Sequence, residues 1–291
     1  MKTLHILDGS SFVYRSFFAL PNLSTSKGFP TSAIYGFLRM IFALIKREKP
    51  EYLVVVFDSS ARTKRQVLYT QYKKQRPKTP DPLKIQIPVL KEILKLAGIP
   101  IFEIPGYEAD DIIAFLAKKF SGKSFRVKIY SPDKDLLQLV SDKVIVVNPM
   151  NDEVFNEKKV IEKFWVKPQN IPDYLALVGD KVDNVPGIKG VGPKTAINIL
   201  KKFGNVKNIL ENWEVFRKHY PEADKKELEL SYKLVKLYTD IDVDIHKEDL
   251  KLKKPDFVKF KKKLEELEMK SLLKDVDGVF KITTQATLFG S

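Results

Sequence analysis

The first half of the sequence alternates short apolar segments with amphipathic ones, and this alternation restricts the possible folds more than any other feature. Residues 51–57 (EYLVVVF) form the clearest apolar run, which is typical of a strand buried on both faces of a parallel sheet. Strands that alternate with helices predict an α/β fold with a central, mostly parallel sheet. Similar strand patterns occur at 4–7, 99–102, 125–130 and 144–147, and helical patterns occur at 31–46 and 83–96.

Acidic residues follow these strand patterns repeatedly. The carboxyl ends of parallel strands meet at one edge of a sheet, where ligands bind. Each acid alone could be a turn residue or a helix cap, but their common position favours a shared site. Hard divalent cations prefer oxygen ligands, and two such ions can clamp a phosphodiester. The sequence therefore predicts two Mg²⁺ ions, with Mn²⁺ as a substitute, held by Asp8, Asp58, Glu108, Asp110, Asp111, Asp133, Asp135, Asp180 and Asp183.

The densest group of acids lies in Gly106-Tyr107-Glu108-Ala109-Asp110-Asp111, immediately before a helical pattern. A helix N-terminus favours negative charge through its dipole and free N–H groups, so this group has a purely structural explanation. The acids elsewhere make a shared metal site the more economical account. We expect Asp110 to be the central ligand and Asp111 to point partly away.

Composition excludes several classes of protein. The chain has 291 residues, no Cys and three scattered His, which excludes disulfides, thiolate zinc and cysteine nucleophiles, and argues against a His-based site. Neither a signal peptide nor an apolar run of membrane-spanning length is present, so we expect a cytoplasmic, nucleoid-associated protein without a membrane partner. The net charge of +14 predicts a polyanionic partner.

One basic segment is a candidate for binding that partner. From Arg62 to Lys95 the chain carries ten Lys or Arg against two acids, with Tyr69 and Tyr72 among them. Cations and aromatic rings together suit a single nucleic-acid strand, because phosphates pair with the cations and bases stack on the rings. A solvated charged face is the alternative.

Strand patterns stop near residue 165, and a glycine-rich stretch follows within a helical region. It is not a phosphate-binding P-loop, because Pro193 stands where lysine is required and no strand precedes it. We predict a helix-hairpin-helix at about 183–203 that binds duplex phosphates, although a plain packing corner is the alternative. Its expected DNA contacts are Gly187, Lys189, Gly190, Gly192, Lys194 and Thr195.

Several segments together resemble the 5′-nuclease family, most closely the 5′–3′ exonuclease domain of bacterial DNA polymerase I. The resemblance runs from about residue 4 to 275, in order and with similar spacing. It rests on LDGSSFVYRSFFALP, TSAIYGFLRM, VVVFDSSARTKR, LYTQYKKQRP, PGYEADDIIA, SPDKDLLQLV, IPDYLALVGDKVDNVPGIKGVGPKTA and LEELEMKSLL. In one departure, Ser131-Pro132-Asp133 replaces the usual Thr-Gly-Asp, but the spacing of the two acids is kept.

The resemblance implies structure-specific hydrolysis of 5′ flaps and nicked duplexes on two divalent ions, and all nine acids match family carboxylates. It implies a basic helical arch at about 62–97, in which Tyr72, Lys73 and Arg76 lie over the scissile phosphate. Lys73, Arg76 and Asp110 are then the expected catalytic residues. It further implies a K⁺ ion at the hairpin and, by position, DNA contacts from Arg65, Tyr14 and Arg15.

We therefore expect a nuclease core over 1–165, a helical DNA-binding region over 166–277 and a flexible tail over 278–291. In the tail, Gln285, Leu288 and Phe289 resemble the pentapeptide that docks bacterial proteins on the sliding clamp. No polymerase domain follows, so the chain is either a stand-alone nuclease or an excised fragment.

We expect a monomer that acts on flap, nicked or gapped DNA and on RNA primers. The rivals are a PIN-type ribonuclease and an inactive DNA-binding adaptor, although no expected ligand is missing.

Overall fold

The computed structural model describes residues 1–20, 23–122 and 125–288, with side chains as far as Phe280. The described residues form one six-stranded sheet in the order β3-β2-β1-β4-β5-β6, in which only β6 is antiparallel to its neighbour. The predicted α/β fold is confirmed, although β6 was not predicted. The strands are β1 (Lys2–Asp8), β2 (Tyr52–Val56), β3 (Ile101–Phe102), β4 (Phe125–Tyr130), β5 (Val144–Asn148) and β6 (Glu153–Phe155).

The register of the central strands sets where the chain leaves the sheet. Asp8, the last residue of β1, is paired with Val56 of β2, and Leu7 is paired with Tyr130 of β4. Because these strands are parallel, all three end at the same edge. The residues that follow them are therefore brought together although they are far apart in sequence.

Helices cover both faces of the sheet, and the described chain after β6 is mainly helical. On one face, β1 and β2 pack with α6 and with the later helices α8–α12, and on the other they pack with α1, α2, α5, α13 and α14. The helices are α1 (Gly9–Ala19), α2 (Ser32–Glu48), α3 (Lys64–Leu68), α4 (Asp81–Lys84), α5 (Gln86–Leu96), α6 (Ala109–Phe120), α7 (Glu157–Phe164), α8 (Ile171–Val178), α9 (Pro193–Phe203), α10 (Val206–Glu211), α11 (Trp213–His219), α12 (Lys225–Val235), α13 (Phe257–Glu266) and α14 (Lys270–Leu288).

The C-terminal segment differs from the prediction. A flexible tail was expected from residue 278, but α14 runs through it to Leu288, and Val279 and Phe280 are buried. The ring of Phe280 packs edge-on against Phe42 of α2, with ring centres 5.7 Å apart. Val276, Val279 and Phe280 recur at helical spacing, so they form one apolar face that needs a partner. The side chains of Gln285 and Leu288, and all of Phe289, lie outside the described residues.

No helix among the described residues is long and apolar enough to cross a membrane.

A buried histidine lies in the central strand. The Nδ1 atom of His5 is 2.9 Å from the hydroxyl of Tyr130, and the two rings are stacked with centres 5.8 Å apart. Burial lowers the pKa of His5 from 6.5 to about 4, because the charged imidazolium is poorly solvated there. The unfolded chain therefore binds a proton between these pH values that the folded chain does not.

This difference predicts that His5 makes stability fall as the pH falls from 6.5 toward 4. Between pH 7 and 4.5 the loss of unfolding free energy due to His5 should be about 2 kcal/mol. In denaturant titrations, His5→Gln should show a correspondingly weaker acid destabilisation than the wild type. The control His246→Gln removes an exposed histidine and should retain the wild-type pH dependence. Equal pH dependence in the His5→Gln variant and the wild type would contradict the assignment.

Candidate active site

The ends of β1, β2 and β4 place three acids at one edge of the sheet. Asp8 caps α1, where its carboxylate accepts a hydrogen bond of 3.0 Å from the backbone N–H of Ser11 and one of 2.7 Å from the hydroxyl of Ser131. Asp58 accepts a hydrogen bond of 2.8 Å from the N–H of Ala109. Asp133 accepts one of 2.9 Å from the N–H of Asp135. Backbone and hydroxyl donors thus orient these carboxylates.

The N-terminus of α6 brings its own acids to the same edge. Glu108 is the N-cap residue, and its backbone N–H donates a hydrogen bond of 3.1 Å to the carboxylate of Asp111, while Asp110 and Asp111 lie in the first turn. The hydrogen bond from Ala109 to Asp58 ties this helix end to β2. The sequence prediction that these acids share one edge with those after the strands agrees with this arrangement.

The acids at this edge disfavour one another's ionisation. Burial raises the pKa of Asp8 to about 6, and the charge of Asp58 adds to the shift. Burial, followed by the charges of Asp133 and Asp8, raises the pKa of Asp110 well above its usual range. Burial and the charge of Asp133 raise the pKa of Asp135 to about 7. A bound cation would relieve this cost, because it stabilises the ionised carboxylates.

The donor chemistry therefore fits hard divalent cations, which take carboxylate oxygens. As the side chains stand, no three potential ligands among the described residues converge closely enough to hold one ion. Ion binding thus requires the carboxylates to reorient toward each other.

The structure joins Arg65 and Asp111 in one buried ion pair. Arg65 is 1% exposed, and it donates two hydrogen bonds, of 2.7 and 2.8 Å, to the two carboxylate oxygens of Asp111. It also donates to Glu108 and to the carbonyls of Leu234 and Lys236. The DNA contact predicted for Arg65 would require it to leave these partners within the protein. Asp111 faces Arg65 with both oxygens, so the metal-ligand role predicted for Asp111 would require this pair to open.

The basic segment lies directly over the acids. The predicted helical arch consists of α3, α4 and α5 with an irregular stretch at 69–80 between them. Within it, the ammonium group of Lys73 is 3.0 Å from a carboxylate oxygen of Glu108. Arg76 donates a hydrogen bond of 2.8 Å from Nε to Asp183. Tyr72 is buried, and its hydroxyl donates to Glu108 over 3.2 Å.

Two residues that were not predicted also belong to this site. The ammonium group of Lys134 is 2.7 Å from Asp180, so this cation partly neutralises the acids of the loop after α8. The hydroxyl of Ser131 joins Asp8 to the backbone N–H of Asp133. Both lie in the Ser131–Asp135 segment, so their position between predicted ligands was the available signal.

The predicted hairpin lies in the connection between α8 and α9, at residues 179–192, and in the start of α9. A Cβ on Gly187 would lie 2.6 Å from the backbone nitrogen of Gly179, so Gly187 serves close backbone packing. Gly190, with φ of 77°, and Gly192 have open space where a side chain would be. Lys189 and Lys194 are exposed beside the turn, and Thr195, in the first turn of α9, is partly buried. The open glycines and the lysines suit an approaching phosphate backbone.

Tyr14 and Arg15 are exposed on α1, which begins directly after Asp8. The hydroxyl of Tyr14 is hydrogen-bonded to Thr79 of the irregular stretch. The structure thus places both residues beside the site, at its solvent-exposed side.

Comparison with known proteins identifies the family. The model described as 5′-3′ exonuclease, N-terminal resolvase-like domain, matches residues 3–165, and that described as 5′-3′ exonuclease, C-terminal SAM fold, matches residues 166–258. The chain belongs to the 5′–3′ exonuclease family. It is therefore a nuclease, an enzyme that hydrolyses phosphodiester bonds, and the resemblance seen in the sequence is confirmed.

Relatives in this family include stand-alone and fused proteins. A 5′-3′ exonuclease of Aquifex aeolicus (strain VF5) is 74% identical over 289 residues, covering 99% of this chain and 100% of that protein. A 5′-3′ exonuclease of Buchnera aphidicola is 39% identical over 261 residues, covering 86% of this chain and 91% of that one. The DNA polymerase I of Caldicellulosiruptor bescii is 39% identical over 281 residues, but this match covers 93% of the chain and 33% of the polymerase.

Solved structures share the fold of this exonuclease. The T5 5′-exonuclease with bound zinc has a TM-score of 0.68 at 22% identity, covering 97% of this chain and all of that one. The catalytic core of Rad2 in complex with a DNA substrate has a TM-score of 0.64 at 19% identity, covering 96% of this chain and 90% of that one. At these identities the likeness shows the fold alone.

The buried pair between Arg65 and Asp111 predicts a large effect on stability. Arg65→Met would leave the carboxylate of Asp111 buried without its cation, so it should lower the unfolding free energy by about 3–5 kcal/mol. The control Arg62→Met removes an exposed arginine of the same segment and should cost less than about 1 kcal/mol. Chemical denaturation of both variants measures the difference, and similar stabilities would show that the buried pair is not needed.

Proposed function

We propose that this nuclease is a structure-specific 5′–3′ exonuclease and flap endonuclease that acts through two divalent ions. The observation that carries the proposal is the gathering of carboxylates from three strand ends and one helix N-terminus under an overhanging basic segment, where burial and neighbouring charges raise the pKa of Asp8, Asp110 and Asp135. The 5′-3′ exonuclease names of the two stand-alone relatives support this activity.

The ligands would divide into two groups. After burial, the charge of Asp58 adds to the raised pKa of Asp8, and the charges of Asp133, Asp8 and Asp58 add to that of Asp110. These four carboxylates would hold one Mg²⁺ ion. Burial and the charges of Asp133 and Asp183 raise the pKa of Asp135. Asp135 would hold the other Mg²⁺ ion together with Asp180, Asp183 and Glu108. When bound, such ions supply hydroxide at neutral pH and stabilise the leaving oxygen. Mn²⁺ would substitute because it also takes carboxylate ligands.

Residues of the basic segment would act on the substrate. Lys73 and Arg76 lie above the acids and would stabilise the negative charge that develops on the scissile phosphate. Tyr72 is buried beneath them and would help to position the segment. Tyr14 and Arg15 would contact the strand at the exposed side of the site.

The substrate would be DNA with a 5′ flap, nick or gap, including RNA primers during replication and repair. The turn between α8 and α9 would act as a helix-hairpin-helix that holds duplex DNA, with K⁺ between the turn and a phosphate. The open space at Gly190 and Gly192 supports this role. A crystal structure of the T5 D15 flap endonuclease is a complex with DNA and metal ions, which supports both partners for this fold.

The sequence of the C-terminal segment supports one further partner, the sliding clamp. The Gln285-Ala286-Thr287-Leu288-Phe289 segment would dock a monomer of this nuclease on the bacterial sliding clamp. Such a tether would keep the enzyme at the nucleoid, where its DNA substrates are made.

The proposed site predicts that Asp110→Ala abolishes cleavage but preserves DNA binding. A labelled 5′-flap substrate with Mg²⁺ should be cut by the wild type, should remain intact with EDTA, and should be cut at least about 100-fold more slowly by the variant. Gel shifts should give similar affinities for both proteins. The matched control Asp142→Ala removes an exposed acid and should cut normally. Undiminished cleavage by Asp110→Ala would rule out the site.

The proposed hairpin predicts a salt-dependent loss of duplex affinity. Lys194→Ala should weaken binding to duplex DNA at low salt and reduce the slope of log K against log salt by about 1, because one phosphate contact is lost. The control Lys254→Ala changes an exposed lysine outside the proposed interface and should leave the slope unchanged. Fluorescence anisotropy at several salt concentrations measures both, and an unchanged slope for Lys194→Ala would contradict the role.

A further inference from the structure

The acids of the site differ in whether they already have cationic partners. Arg76 is hydrogen-bonded to Asp183, and Lys73 lies 3.0 Å from Glu108 and 4.0 Å from the other oxygen of Asp183. Lys134 is 2.7 Å from Asp180. No ion pair within 4.0 Å is formed by Asp8, Asp58, Asp110 or Asp133 in the described part of the chain. Protein cations thus neutralise one half of the site and not the other.

The same basic segment is anchored to the loop that carries Asp183. The N–H of Lys73 donates a hydrogen bond of 3.0 Å to the carbonyl of Asp183. The side-chain amide of Asn184 donates one of 3.0 Å to the carbonyl of Gln71. Lys73 has a φ of 56°, a left-handed conformation that is uncommon for a non-glycine residue and has to be held by its surroundings. The segment at 71–76 therefore depends on these contacts for its position.

From these contacts we infer that Lys73 and Arg76 are internal counter-ions that control access of the second metal ion. In the absence of DNA they occupy Glu108 and Asp183, so a divalent ion binds first at Asp8, Asp110 and Asp133. The second ion binds when Lys73 and Arg76 leave these acids and pair with the phosphates of the substrate. The inference rests on the proposed function, because both require ions at this site.

The arrangement has a chemical consequence. A carboxylate that already pairs with a guanidinium or ammonium group binds a divalent ion less tightly, because the ion has to displace that cation or tolerate its repulsion. DNA phosphates compete for the same lysine and arginine. Substrate and second ion therefore strengthen each other's binding, and the complete metal site forms when a strand lies beneath the segment.

Binding of Mn²⁺, followed by electron paramagnetic resonance of the free ion, tests the inference without a cleavage assay. The DNA-free wild type should bind one ion tightly and another weakly. Arg76→Gln should strengthen the weaker site about tenfold, since it removes one neighbouring positive charge. The control Arg62→Gln, in the same segment but without contact to these acids, should not change it. Lys73→Gln is a second variant, and it should also strengthen Mn²⁺ binding at the weaker site.

Hydrogen exchange separates displacement from a general charge effect. The amide of Lys73 should be protected in the DNA-free protein and should lose protection when Mn²⁺ fills the weaker site. A flap duplex with bridging methylenephosphonate linkages, which resist hydrolysis and keep the negative charge of the phosphate, should strengthen that site more in the wild type than in Arg76→Gln. Full occupancy of both sites with the Lys73 amide still protected would overturn the inference. Equal effects of Arg76→Gln and Arg62→Gln on the weaker site would also overturn it. Neither readout depends on cleavage, so the inference and the proposed function can fail separately.

Discussion

Repulsion among carboxylates at one edge of a parallel sheet is the constraint on which this structure depends. The parallel register of β1, β2 and β4 brings Asp8, Asp58 and Asp133 to the same edge, and α6 adds Glu108 and Asp110. Hydrogen bonds from the backbone and from serine orient these groups, but burial and, after it, the neighbouring carboxylates still raise the pKa values of Asp8 and Asp110. A site of this kind requires cations, and the protein supplies part of that charge itself.

The cations that the protein supplies have different tasks. Arg65 is buried and joins the start of the basic segment to Asp111 and to the C-terminal end of α12. Lys73 and Arg76 lie nearer the surface and pair with acids that a metal ion would use. Burial therefore separates a permanent ion pair from two that a substrate can exchange, although all three cations come from one short stretch of sequence.

The sequence predicted the features that depend on local pattern. Apolar runs predicted β1, β2 and β4, and the acids after them predicted a shared edge, because strand ends in a parallel sheet meet there. It did not predict the role of Arg65, since its partners at Leu234 and Lys236 are far away in the chain and are brought close only by tertiary packing. The extent of α14 was also missed, because the packing of Phe280 against Phe42 of α2 is a tertiary contact that the local pattern does not show.

The central claim is that these carboxylates together bind divalent ions. Anomalous diffraction from crystals of the protein soaked in Mn²⁺ tests it most directly, because the signal locates each ion independently of activity. We predict a strong peak among Asp8, Asp110 and Asp133, and a weaker one beside Asp135 and Asp183 that strengthens with bound DNA. Mn²⁺ peaks confined to other surface acids, with none within this carboxylate group, would contradict it.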